Sequence, residues 1–197
     1  LHHEAPQGPP RKVRSVKPFL VWLTGLSGAG KTTLSMALDD HLLRAGIIAK
    51  QFDGDVMRAT VCKDLGFSRW DRAENVRRIG SAARAAMADG TCAIVSAISP
   101  YRDDREKERE ITGESFIEVF VDCGIARLVE RDTKGLYARA LAGEIENFTG
   151  LSDPYEPPVA PEVHCRTDVE TERASLVRIL DELHARGFLE SKLFNVA

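Results

Sequence analysis

The chain has 197 residues, 43% of them hydrophobic, with 27 basic against 30 acidic side chains and a net charge of −3. That is room for one α/β domain with a full core and too little for two large ones. The charge balance gives no overall pull toward nucleic acid or an anionic membrane, and any anion site must be local. No apolar stretch approaches the roughly 18 residues of a membrane span and the N-terminus lacks a signal-peptide core, so the chain reads as soluble and cytoplasmic. Residues 1–18, rich in Pro, Gly and basic side chains, read as a tail or linker, 19–190 as the domain, and 191–197 as a C-terminal tail. His2 and His3 fall in that first tail and read as tail residues rather than ligands.

Phe19 to Thr24 (F-L-V-W-L-T) is an apolar run suited to a buried strand, and Thr33 to Arg44 carries leucines at 34, 38, 42 and 43, a helical spacing. Between them Gly25, Leu26, Ser27, Gly28, Ala29, Gly30, Lys31 and Thr32 fit G-x-x-x-x-G-K-[ST] at every fixed position, with Thr33 following. Strand, glycine loop and helix form the context this motif needs. The glycines let backbone N–H groups turn inward around a phosphate, and the helix start adds the positive end of its dipole. Lys31 reaches the β- and γ-phosphates and the Thr32 hydroxyl binds Mg²⁺. A glycine-rich turn that happens to precede Lys-Thr is the competing reading, and the flanking strand and helix weigh against it.

Gly46 is a plausible helix end, after which Ile47 to Phe52 leads as a second strand into Asp53-Gly54-Asp55. Two carboxylates flanking a tight turn at a strand end face the crevice where open α/β sheets bind ligands. One could hold metal-bound water and the other could approach an attacking hydroxyl; solvated carboxylates of an Asp-Gly turn are the alternative. Ser68 is an N-cap candidate for a helix with Val76, Ile79, Ala83 and Met87 inward. Arg72, Asn75, Arg77 and Arg78 crowd its first turns, offering planar cations to phosphate or sulfate, although pairing with Asp71 and Glu74 accounts for some of them.

Thr91 to Ser99 is a third strand, followed by Pro100-Tyr101-Arg102 and a charged helix to about Glu110. Phe116 to Val121 is a fourth strand, Ile125 to Arg131 a short helix, Val163 to Arg166 a possible fifth strand, and Thr171 to Arg186 a closing amphipathic helix. This alternation implies a three-layer α/β domain of the P-loop NTPase type around a mostly parallel five-stranded sheet. Residues 132–161, poor in apolar periodicity and rich in Pro, Gly and Asp, read as a lid. Cys62, Cys92, Cys123 and Cys165 form no C-x-x-C pair and read as reduced core thiols.

Taken together, the segments resemble adenylylsulfate kinase, from about Val21 to Leu189. The carriers are G-L-S-G-A-G-K-T-T at 25–33, D-G-D at 53–55, K-D-L-G-F-S at 63–68, D-R-A-E-N-V-R-R at 71–78, I-S-P-Y-R at 98–102, F-I-E-V-F-V at 116–121, R-D-T-K-G-L-Y at 131–137, G-E-I-E-N-F-T-G at 143–150 and D-P-Y-E-P-P at 153–158. The P-loop alone is shared by many enzymes; the ordered set is specific. The resemblance implies transfer of the γ-phosphoryl of Mg-ATP to the ribose 3′-hydroxyl of adenosine 5′-phosphosulfate, and usually a homodimer, with a fused or associated ATP sulfurylase as a further partner. It implies that Phe67 and Phe148 sandwich the acceptor's adenine, that Arg58, Arg72, Asn75, Ile98 and Ser99 line the acceptor site, and that Lys134, Gly135 and Leu136 belong to the lid. Ser99 matches a serine once assigned as a phosphorylated intermediate, whereas direct in-line transfer needs only positioning and charge neutralisation. In this reading Asp53 positions or deprotonates the hydroxyl and Asp55 supports the metal and its waters. One departure concerns the acceptor side: where the family commonly has Asn, a β-branched residue and Arg, then His-Gly, this chain has Val56-Met57-Arg58 and Ala59-Thr60.

Other readings are a P-loop kinase for another small nucleotide acceptor and a regulatory or fused module that binds nucleotide with little turnover. A GTPase switch is disfavoured because no N-K-x-D segment follows the P-loop.

Overall fold

The computed structural model describes residues 14–190; the expected tail residues 1–13 and 191–197 lie outside the described residues. Five strands, β1 (Leu20–Thr24), β2 (Ala49–Asp53), β3 (Cys92–Ser96), β4 (Phe116–Asp122) and β5 (Val163–Arg166), form one sheet in the order β2-β3-β1-β4-β5. Every pairing is parallel. The helices are α1 (Lys31–Arg44), α2 (Gly54–Ala59), α3 (Arg69–Ala88), α4 (Arg102–Thr112), α5 (Ile125–Arg131), α6 (Leu136–Leu141) and α7 (Glu172–Ala185).

β1 and β3 are buried along their whole length because helices cover both faces of the sheet, which is why they read as unbroken apolar runs. On one face α1 and α7 pack Leu34, Leu38, Leu42, Ile179 and Leu183 against Val21, Leu23, Ile94, Val119 and Val121. On the other, α3 lays Val76, Ile79 and Ala83 over Leu20, Trp22, Phe52 and Val95. The four inward leucine and isoleucine positions expected of α7 are all buried, and the four cysteines are free and buried.

Two elements correct the sequence reading. Asp53-Gly54-Asp55 is not a tight turn: Asp53 caps α2 by accepting the N–H groups of Asp55 at 2.9 Å and Val56 at 3.3 Å, so the carboxylate starts a helix. The third strand stops at Ser96 rather than Ser99, because the backbone turns at Ser99, whose φ is 41°. Residues 132–161 also carry α6, begun by Gly135 at φ 64°. From the N-terminal segment, Arg14 donates its N–H to the Gly46 carbonyl and Val16 packs on the core.

The connections leaving β1 and β3 run to opposite sides of the sheet, opening a crevice at their carboxyl ends. Gly25 seats the loop that follows β1 against β4. With φ 150° it lies so near β4 that a Cβ there would fall 2.2 Å from the Val121 carbonyl oxygen.

Candidate active site

A cavity of about 660 Å³ fills this crevice. One end is walled by Ser27, Gly28, Gly30, Lys31, Thr32 and Thr33, the other by Arg58, Phe67, Arg72, Asn75, Ile98 and Ser99. Asp53 and Asp55 lie on the wall, and Lys134, Leu136 and Phe148 come from the segment above. Of the expected site residues, Gly25, Leu26, Ala29 and Gly135 do not line it: Ala29 is core and Leu26 lines a separate groove.

At the P-loop end, Lys31 Nζ donates to the carbonyls of Gly25 at 2.9 Å and Leu26 at 2.8 Å. Burial pushes its pKa down to about 8, opposed by the Asp55 carboxylate, reinforced by the Lys134 cation and opposed again by Asp53. An ammonium so desolvated, on a loop whose glycines take positive φ, is poised for an anion.

Asp53 stands between the two ends. Burial raises its pKa, but the hydroxyls of Ser96 at 2.9 Å and Thr32 at 3.0 Å and the two α2 N–H groups outweigh it, and the net shift is downward. The carboxylate is therefore held ionised with its lone pairs engaged, a hydrogen-bond acceptor and a weak base. Asp55, one turn on, pairs with Lys134 Nζ at 2.5 Å. Thr32 and Asp53 fit a magnesium ion that keeps its waters and takes its remaining ligands from phosphate; no cage of three or more His, Cys, Asp or Glu exists among the described residues.

At the acceptor end, α3 begins with a reciprocal capping box between Ser68 and Asp71. This entry angle sends Arg72 inward while Arg77 and Arg78 turn to Glu74 and Asp64 on the surface. The Arg72 guanidinium donates to Phe67 O at 3.0 Å, Thr149 Oγ1 at 2.7 Å and Asn147 O at 2.6 Å, and pairs with Asp153. Much of its fork therefore clamps residues 147–153 rather than standing free. Arg58 reaches the Gly66 carbonyl and lies 4.6 Å over the Phe67 ring, which is 59% exposed. Phe148 meets Tyr137 edge-on at 5.0 Å, and the Tyr137 hydroxyl donates to Ser27 O. Asn75 lines the cavity, and its Oδ1 is buried with no hydrogen-bond partner among the described residues.

The Ser99 hydroxyl is engaged elsewhere. It accepts the indole N–H of Trp22 at 2.9 Å and donates to Ala97 O at 3.1 Å, in a residue 3% exposed. The departures from the family pattern fall off the cavity: Val56, Met57, Ala59 and Thr60 are absent from its wall, and only Arg58 of that stretch reaches it.

Sequence reasoning missed Arg131, Thr133, Ile145, Glu146, Asn147 and Thr149 as lining residues. Arg131 ties two loops by donating to Thr167 O at 2.6 Å. Thr149 and Asn147 sit in G-E-I-E-N-F-T-G, and their signal was the segment, since their partner Arg72 is 77 and 75 residues away.

The family described as adenylylsulphate kinase matches residues 17–166. The chain is 51% identical over 169 residues to the adenylyl-sulfate kinase of Rippkaea orientalis, covering 86% of this chain and 93% of that one. It is 48% identical to a probable bifunctional SAT/APS kinase of Sorangium cellulosum, covering 87% of this chain and 29% of that one. Among solved structures, the Mycobacterium tuberculosis APS kinase in complex with AMPPNP and APS superposes with a TM-score of 0.81 at 39% identity, over 86% of this chain and 99% of that one. With its P-loop, the two aspartates and Arg58, Phe67 and Asn75 in one cavity, the chain belongs to the adenylyl-sulfate kinase family.

Proposed function

We infer that this protein transfers the γ-phosphoryl group of ATP to the 3′-hydroxyl of adenosine 5′-phosphosulfate, giving 3′-phosphoadenosine 5′-phosphosulfate and ADP. The observation that carries the reading is the single cavity joining Lys31 and Thr32 to Arg58, Phe67 and Asn75, in a chain of this family. The 3′-oxygen forms its bond to the γ-phosphorus as the bond to the β–γ bridging oxygen breaks, roughly in line. Thr32, and Asp53 or Asp55 through waters, would hold a Mg²⁺ ion, which would supply charge neutralisation on the phosphates. Lys31 follows the γ-phosphoryl charge onto the leaving ADP. Four donors hold Asp53 ionised and a weak base, so the proton leaves to water; the carboxylate orients the attacking hydroxyl by accepting it in exchange for one of those donors.

Asn75 lines the acceptor's side of the cavity, while Phe67 and Phe148 take the adenine between them. Ser99 supplies wall and no covalent step. We place the protein as a cytoplasmic homodimer, alone or with a sulfurylase: four buried thiols fit a reducing compartment, no described helix is long and apolar enough to cross a membrane, and a relative is bifunctional.

The test is coupled ADP release from Mg-ATP with and without adenosine 5′-phosphosulfate, with product identification. Saturable, acceptor-dependent release of the 3′-phosphorylated product is expected. Nucleotide binding with no turnover on this acceptor would overturn the assignment and lead to a panel of other nucleotide acceptors.

A further inference from the structure

Ser99 holds its backbone in the left-handed region at φ 41°, which a residue with a Cβ keeps only when its surroundings impose it. Those surroundings converge from four directions. The Trp22 indole N–H on β1 binds Ser99 Oγ at 2.9 Å, and Thr24 Oγ1 binds Ile98 O at 2.7 Å. From α4, Arg105, 2% exposed, donates through one arm to Ser99 O at 2.6 Å and through the other to Glu156 O at 2.8 Å. Its Nε meets Glu118 of β4 at 2.7 Å. Glu156 returns the contact, its N–H reaching Pro100 O at 2.8 Å and its carboxylate accepting Arg102 N–H at 2.8 Å.

We propose that Arg105, seconded by Trp22, is a positioning residue for the acceptor. One buried guanidinium locks the Ile98–Pro100 turn, which lines the acceptor wall, to residues 153–157, whose Asp153 meets the wall residue Arg72. The planar fork matters as much as the charge: it reaches two carbonyls on two segments while its third edge is neutralised by Glu118. Glu118 is itself shared with Arg109, which also binds Glu162 at 2.5 Å, so the clamp is anchored in the sheet. Arg105 does not line the cavity. It acts by holding Ile98 and Ser99 where the acceptor will meet them. The identity of that acceptor rests on the reading above; the clamp itself does not.

The test compares Arg105→Lys, Trp22→Phe and Arg84→Lys in the full chain. Arg105→Lys keeps a cation against Glu118 and loses the fork, Trp22→Phe keeps an aromatic ring beside Phe116 and loses the N–H together with part of the buried indole's volume, and Arg84→Lys alters a different pair, with Glu108, away from the cavity. Expected for Arg105→Lys is a rise of about tenfold or more in the acceptor KM with ATP affinity within about twofold of wild type. Trp22→Phe raises the same KM about threefold, and Arg84→Lys leaves it within about twofold.

Hydrogen exchange gives a readout that needs no turnover. Amides of 98–102 and 153–157 exchange together about tenfold faster in Arg105→Lys, and only those of 98–102 in Trp22→Phe. If wild-type protein is silent with adenosine 5′-phosphosulfate, the assignment of function falls and the exchange result still decides the clamp. An Arg105→Lys protein in which the two segments exchange as in wild type, or in which ATP and acceptor sites weaken equally and Arg84→Lys does the same, overturns it.

Discussion

The two ends of the active-site cavity are built in opposite ways. The end we assign to the nucleotide is local: eight consecutive residues, from the end of β1 into the first turn of α1, supply the loop, the lysine and the hydroxyl, and the core beneath fixes them. The end we assign to the acceptor is assembled from α2, the start of α3, the turn after β3 and the segment above the cavity, joined by arginines with partners tens of residues away. A phosphate can be held by backbone N–H groups that any sequence provides if glycines let them turn. A particular nucleoside acceptor needs side chains converging from several elements, and the protein spends buried guanidinium groups to hold them together. Damage should therefore separate: lesions at the first end abolish chemistry, and lesions at the second loosen one substrate.

The largest separation is expected from Lys31→Met. Loss of the phosphate-facing ammonium lowers kcat by about 10²- to 10³-fold in coupled ADP release. The apo protein should nevertheless melt no lower than wild type at pH 7. Protonated Lys31 is disfavoured in the fold, its pKa falling from 10.5 to about 8, so its penalty is fully present below pH 8 and is relieved progressively as the pH rises from about 8 to 10.5. A large drop in melting temperature would mean that the lysine holds the loop through Gly25 and Leu26.

Arg72→Lys attacks the other end. Losing the fork that reaches Phe67, Thr149 and Asn147 should raise the acceptor KM about 30-fold, roughly 2 kcal/mol, with ATP affinity unchanged by calorimetry. Equal weakening of both substrates would erase the distinction between the ends.

A pH series sharpens it further. Above pH 8 the free enzyme's Lys31 loses its proton, so ATP should bind about tenfold more weakly at pH 9 than at pH 7, with proton uptake seen as a dependence on buffer ionisation enthalpy. Acceptor binding to the ADP-loaded protein should change much less.

The smallest expected effect concerns Lys134 and Asp55, an exposed pair worth about 0–1 kcal/mol at most, so Lys134→Ala should leave the unfolding midpoint nearly unmoved. We propose that residues 132–160 nonetheless act as a lid. ADP plus acceptor should slow their hydrogen exchange relative to the free protein, and equal exchange in both states would refute closure.

The same asymmetry governed what could be read in advance. β1, α1, α3 and α7 announce themselves because their apolar periods are long, and the Gly25–Thr32 loop because its function is written in consecutive residues. α2 escaped because an Asp-Gly pair signals a turn and six residues are too few to display a helical period. α6 escaped for the same reason, with Leu136, Tyr137 and Leu141 crowded into six residues among glycines. That the Ser99 hydroxyl faces Trp22, or that Arg72 is spent on Thr149, depends on tertiary contacts which no local pattern encodes. The substitutions at Val56, Ala59 and Thr60, which looked like a change of acceptor chemistry, lie off the wall once the chain is folded.

The strand order also has a consequence in time. β1 is the central strand and the first to be synthesised, yet its two neighbours, β3 and β4, end only at Ser96 and Asp122. On a ribosome both its edges must wait for most of the chain, and such non-local parallel pairing is slow. A truncated chain ending before β4 would contain the whole P-loop sequence and still lack the Val121 carbonyl against which Gly25 is seated. The Gly25–Thr32 loop, the most local feature in the sequence, thus waits on a strand made long after it.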